Sequence, residues 1–198
     1  YTLVNTPSVP VDPRAIEATK VTFAKAKGVR LKSISNVLQD MRLNTNSGTP
    51  YFTKRRNVLE ETLDAFSNWN DRFNPNVFKA FHNAAILGWR GQEGGPETSD
   101  VKQRVVWMMP FGLNAQEGMA YQPLILAWQK ANINSAYISF RAVEEKITRL
   151  FDTKGDEYVV VTDFSKFDQH FNGDLQKAAR DIIVHQLQGN VESSAWIN

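Results

Sequence analysis

Two carboxylates five residues apart, Asp163 and Asp168, follow the apolar run Tyr158–Thr162 in the string YVVVTDFSKFD. The run is rich in β-branched residues and has neither Gly nor Pro, which predicts a buried strand. A strand that ended near Asp163 and turned would let both carboxylates face one pocket, and hard oxygen donors of this kind suit Mg²⁺ or Mn²⁺. An acidic turn capping the next helix would use the same two residues. A second set is cationic. Lys102 and Arg104 open the run Lys102–Pro110, where alternation puts both on one face of a strand. Arginine grips two phosphate oxygens at once and lysine acts as a point charge, so the pair suits a phosphate, although an exposed strand face can also be cationic. Arg90 precedes them, across the glycine-rich stretch Trp89–Val101, which predicts a long irregular loop. A third set is the turn-rich loop 44–50, NTNSGTP, with Ser47 and Gly48, followed by Tyr51, Phe52, Thr53, Lys54, Arg55 and Arg56. Rings there could stack on bases and cations could meet the phosphates of a single strand; a plain surface loop is the alternative.

The elements expected to hold these groups are mostly helical. Residues 1–13 contain three prolines and predict an extended arm. Helices are predicted over 13–27, ended by Gly28, and over 31–43. Further helices are predicted over 58–73 and from Asn74-Pro75 to Leu87, with Gly88 as the C-terminal cap. Beyond the Lys102 strand come 114–130, kinked at Pro123, then 141–150, and one from Asn172 or Gly173 to Gln188. The aromatics Phe66, Trp69, Phe73, Phe78 and Phe81 are expected in the core, with His82 among them. His170 and His185 share no metal-ligand spacing with Asp163.

The 198 residues suffice for one sizeable domain or two small ones. The absence of cysteine excludes disulfides, thiolate metal sites and a Cys nucleophile, and fits a reducing compartment. No apolar run is long enough to span a membrane and no signal peptide stands at the start. The first residue is Tyr1 rather than Met, as in a processed or cropped piece. The net charge of +2 is uneven. Residues 14–56 hold ten Lys/Arg against two Asp/Glu, a balance of +8, and the remainder carries −6. A basic first quarter points to a polyanion partner.

Asp163-Phe164-Ser165-Lys166-Phe167-Asp168-Gln169 resembles the first palm motif of viral RNA-dependent RNA polymerases, those of picobirnaviruses and related double-stranded RNA viruses above all. Loop 44–56 resembles their template-entry loop, and the loop-then-K-x-R-x-V order of 89–109 resembles the fingers motif that holds the triphosphate. The resemblance implies an α+β right-hand polymerase fold, its fingers and the first part of its palm. Residues 1–112 would be arm and fingers, and 113–198 the start of the palm. It implies that Asp163 and the main-chain carbonyl of Phe164 bind two Mg²⁺ or Mn²⁺ ions. Asp168 would sense the ribose 2′-hydroxyl, which deoxyribose lacks. Lys102, Arg104 and Arg90 would hold the nucleoside triphosphate, and Ser47, Gly48, Lys54, Arg55 and Arg56 the RNA template. Expected partners are template and product RNA, ribonucleotides and a viral capsid protein, in the virion interior or the host cytoplasm. The sequence departs from the family pattern by lacking a Gly-Asp-Asp or Ser-Asp-Asp turn and the Ser-Gly-rich selection motif. The 198 residues alone are therefore expected to be inactive. Three alternatives compete: a non-catalytic RNA-binding module using residues 14–56, a strand-end-Asp phosphatase, and a reverse-transcriptase-like enzyme. Ser165 stands where the phosphatase would need its second Asp, and Asp168 disfavours the last.

Overall fold

The computed structural model describes residues 6–71, 73–92 and 94–198. They fall into two compact units, one of residues up to Leu31 together with 123–198, the other of residues 32–122. Helix α1 (Pro13–Phe23) belongs to the first of these.

In the 32–122 unit, the Ser33 side chain caps α2 (Ile34–Asp40). A 3₁₀ turn at Arg55–Val58 leads into α3 (Leu59–Ser67). The short α4 (Pro75–Val77) continues as a π-helical turn, Phe78–His82. An antiparallel hairpin follows, β1 (Ile86–Gln92) and β2 (Lys102–Met108). The 20-residue helix α5 (Phe111–Lys130) then begins, with Pro123 inside it. Leu38, Val58, Phe111 and Ala115 form the core here, with Ile34, Met41, Leu59 and Phe66 packed around them. Each large apolar side chain so buried contributes about 1.5–3 kcal/mol. A second cluster joins Ala65, Val77 and Ala80 to Phe81, whose ring meets Phe66 edge-on at 5.1 Å.

Glycine lets α5 approach this core. A Cβ on Gly112 would lie 2.6 Å from the Ala80 carbonyl oxygen, and one on Gly118 would lie 2.6 Å from Val37 Cγ1. Gly→Ala normally stabilises a helix interior by about 1 kcal/mol. At Gly112 the new methyl meets backbone, so the sign reverses. Gly112→Ala is expected to destabilise by about 2 kcal/mol, seen as a melting temperature lower by about 6 °C. A raised melting temperature would contradict this close packing.

In the other unit, the Asp12 carboxylate caps α1 by accepting the Arg14 N–H at 2.8 Å. The remaining helices are α6 (Phe140–Thr153), the short α7 (Phe167–His170), α8 (Gly173–Gln186) and α9 (Val191–Ile197). Ser139, Asn172 and Asn190 cap α6, α8 and α9 with their side chains. Helix α1 packs on α8. Trp128 organises the centre: Phe23 meets it edge-on, Tyr137 stacks on it, and its Nε1–H donates to Oε1 of the buried Gln186 at 2.6 Å. The backbone N–H groups of Gly28 and Val29 donate to the Gln186 carbonyl, which ties the chain after α1 to the end of α8.

Several local expectations are corrected. The helix expected from Asn74 to Leu87 ends at His82, and Ile86–Gln92 is a strand. Gly88 is thus a strand residue rather than a cap, and the irregular segment shortens to the residues between Gln92 and Lys102, of which 93 is not described. Helix 58–73 stops at Ser67 and helix 31–43 contracts to 34–40. Trp69, Phe73 and Phe78 are exposed, and so is His82, its ring 6.1 Å from that of Phe78. Of the expected arm, residues 1–5 lie outside the described residues; 6–12 are neither helix nor strand. Tyr158–Thr162 is neither helix nor strand and pairs with no strand among the described residues, with Tyr158 98% and Val161 88% exposed. Its composition favours a strand, but a strand also needs a neighbour to accept its ladder bonds. Among the described residues the only sheet is β1–β2. No helix among the described residues is long and apolar enough to cross a membrane.

Candidate functional site

The hairpin register gathers three of the predicted residues. Arg90 pairs directly with Arg104, and Gln92 with Lys102. Paired residues share a face, and side chains two apart in a strand do too. Arg90, Lys102 and Arg104 therefore stand on one face, with Gln92 beside them, and all are exposed. Like charges directly opposite each other destabilise a ladder. A bound polyphosphate would turn that repulsion into attraction, and arginine's fork would fix its orientation. Sequence reasoning did not foresee β1 or the place of Gln92. The signal was the alternation Leu87, Trp89 against Gly88, Arg90, Gln92, hidden by glycines that resemble a helix terminus.

Loop 44–56 is closed rather than loose. Asn46 and Lys54 form an antiparallel bridge, and the Thr45 and Leu43 carbonyls accept the N–H groups of Arg55 and Arg56. The Ser47 N–H donates to the Thr53 carbonyl at 2.8 Å, and the Thr53 N–H donates to Ser47 Oγ at 3.3 Å. Gly48 has φ +70°, and a Cβ there would sit 2.9 Å from the Met109 carbonyl oxygen. The Thr49–Pro50 peptide is cis. Ser47 is only 1% exposed and Gly48 is buried, so both shape the loop from inside. Phe52, with φ +49°, is exposed. Lys54 and Arg56 are exposed too. Arg55 is not: its guanidinium lies 5.1 Å from the Phe111 ring centroid and donates from Nη2 to Asn114 Oδ1 at 3.3 Å. Burial pushes its pKa down, and its Nε–H is buried without a partner.

Asp163 and Asp168 belong to the other unit. Both are exposed. Asp163 Oδ1 accepts the N–H of Phe164 at 2.9 Å, which orients its carboxylate. Lys166, with φ +52°, turns the chain into α7, where Asp168 is the second residue. Phe164, Phe167 and Phe171 form a ring ladder at this turn, at 5.7 and 5.6 Å. His170 Nδ1 lies 3.0 Å from the Lys166 carbonyl oxygen.

The whole chain aligns with a "Potential RNA-dependent RNA polymerase" of human picobirnavirus (strain Human/Thailand/Hy005102/-), 44% identical and covering 37% of that protein. A family model described as viral RNA-dependent RNA polymerase matches residues 18–197. The chain belongs to the viral RNA-dependent RNA polymerases. Its fold also matches the crystal structure of a human picobirnavirus RNA-dependent RNA polymerase, with TM-score 0.83 and 40% identity over all of this chain and 39% of that one. The insertion-loop deletion mutant of that polymerase matches equally well. The α+β expectation of a partial right-hand polymerase fold stands. The chain spans less than two-fifths of the length of these polymerases.

Polymerases of this family use divalent ions, and the donor set here fits one only in part. Asp163 offers an exposed, oriented carboxylate. Among the described residues no group of three or more acidic, His or Cys side chains is gathered to hold a metal. Hard ions of this class take about six oxygen ligands, so a lone carboxylate such as that of Asp163 could supply at most part of such a set.

Proposed function

We propose that this chain forms the fingers and the first part of the palm of a polymerase that copies RNA from an RNA template, residues 1–112 and 113–198 respectively. The observation that carries this is the β1–β2 register, which sets Arg90 against Arg104 with Lys102 beside them. On a polymerase scaffold, a face of three exposed cations suits the triphosphate of an incoming ribonucleotide. The two arginines and the lysine neutralise its oxygens as charge moves toward the leaving pyrophosphate. Lys54 and Arg56 meet template phosphates, Phe52 offers a ring to a template base, and Ser47, Gly48 and Arg55 hold the loop in shape for them.

Asp163 and the main-chain carbonyl of Phe164 are the groups that would hold Mg²⁺ or Mn²⁺. Two such ions, when bound, supply activation of the 3′-hydroxyl and stabilisation of the leaving group in nucleotidyl transfer. Asp168 accepts a hydrogen bond from the ribose 2′-hydroxyl. The biological task is replication and transcription of a viral RNA genome, in the virion interior or the host cytoplasm, with a capsid protein as a further partner. The 198 residues alone are inactive, since they supply one metal-binding carboxylate and no second acidic turn.

The test uses the longest natural form of the chain, measuring kcat/KM for a ribonucleotide and its deoxy analogue. A hydrogen bond to a charged acceptor contributes about 1.5–3 kcal/mol, so Asp168→Ala should lower ribose selectivity by about 10- to 100-fold. An unchanged ratio would remove Asp168 from sugar selection.

A further inference from the structure

A second basic site is built from residues other than those described so far. In the unit formed by residues up to Leu31 and 123–198, an open concavity of about 520 Å³ is bordered by Lys25, Lys27, Arg30 and Lys130. No carboxylate lines it. Arg30 has an exposed neighbour in Glu192, Nε to Oε2 3.5 Å, and Lys130 stands in the last turn of α5, where the helix dipole favours a cation. Lys25 stands in the last turn of the 3₁₀ segment Ala24–Ala26 that continues α1, and Lys27 is its C-cap; no ion pair holds either of them among the described residues.

The frame that presents these cations is rigid. Gly28 adopts φ +84°, a turn that glycine makes without strain. Ala26 and Val29 on either side of it are buried. The N–H groups of Gly28 and Val29 are both committed to the Gln186 carbonyl. With inward positions fixed by burial and backbone donors already used, only the long side chains of Lys25, Lys27 and Arg30 remain to face a ligand. Ala127 and Ala131, small residues one helical turn apart, leave the floor open. Four cations around one hollow repel each other unless an anion joins them. No aromatic ring lines the hollow, so bases would find nothing to stack on.

We propose that this concavity binds the phosphate backbone of RNA, without reading its sequence, through residues other than those of the template loop and the hairpin face. Phosphates of a single strand or of a duplex present the same chemistry, and the experiment tells them apart. The longest natural form of the chain is titrated in EDTA with a 20-nucleotide oligouridylate and with a duplex RNA of equal length, over a range of KCl. EDTA removes nucleotidyl transfer from the measurement, so the outcome does not depend on Asp163. For every phosphate that a cation ceases to neutralise, the slope of log K against log salt becomes shallower by about 0.7 for single strands and 0.9 for duplex. The triple variant Lys25→Gln/Lys27→Gln/Lys130→Gln should therefore have a slope shallower by about 2 if a single strand binds there and by about 3 if a duplex does, and the corresponding triple Lys→Arg variant should keep the wild-type slope. A slope that matches wild type for both RNAs overturns the proposal. It does so whatever the melting temperature of the Gln variant.

Discussion

Asp163→Ala should reduce templated ribonucleotide incorporation by at least about 10³-fold, with RNA affinity nearly unchanged. The size follows from what the carboxylate is asked to do. Charge stabilisation through a divalent ion contributes several kcal/mol at the transition state, and about 4 kcal/mol is a thousandfold in rate. The selectivity of the effect follows from where Asp163 sits. It is exposed, and its hydrogen bond among the described residues is local, from the N–H of the next residue, so its removal unbuckles no core. Asp163→Asn keeps the shape and that hydrogen bond but removes the charge, and should be as inactive as Ala. The two variants together separate loss of a metal ligand from loss of local structure. An Asn variant with near wild-type rates would show that the charge is not used.

Arg104→Ala should lower kcat/KM for the nucleotide by about 10²-fold, and Arg104→Lys should recover only part of it. Arginine groups on a transferring phosphoryl are among the largest single contributions in such reactions, and lysine cannot reproduce the two-pronged grip. Arg90 stands directly opposite. Removing Arg104 relieves a like-charge pair, so the variant should fold at least as stably as wild type while losing activity. That combination, stability kept or raised with kcat/KM lowered, separates a phosphate-binding role from a structural one. Arg90→Ala with an effect of similar sign, and a double variant whose loss is less than the product of the two, would fit two side chains acting on one ligand. Wild-type nucleotide kinetics in all three alanine variants would place the triphosphate elsewhere.

How far the sequence alone reached depended on whether the deciding interaction was local. Helices α1 and α8 were legible because their apolar residues recur at helical spacing, a signal carried within each segment. Lys102 and Arg104 on one face followed from period-two geometry within a single strand. Arg90 beside them did not, because cross-strand register is set by pairing, and its strand was concealed by Gly88 and Gly91. Arg55 looked equivalent to its neighbours Lys54 and Arg56, since composition cannot say that one of three consecutive cations will turn inward onto Phe111 and Asn114. Ser47 and Gly48 read as a flexible loop because their burial comes from residues as distant as Met109. Tyr158–Thr162 reads as a strand from its β-rich composition, yet it stays unpaired among the described residues, since propensity does not supply a neighbour. The carboxylates were legible as a motif, but a motif of one short stretch cannot supply a full ligand set.

The most direct measurement is templated ribonucleotide incorporation by the longest natural form of the chain, with Mg²⁺ or Mn²⁺ present and then withdrawn by chelation. The predicted result is product whose sequence follows the template and whose synthesis stops when the ions are removed. Undiminished RNA binding with no nucleotide added in either ion would contradict the polymerase reading, and would leave the basic first quarter of the chain as an RNA-binding module without catalysis.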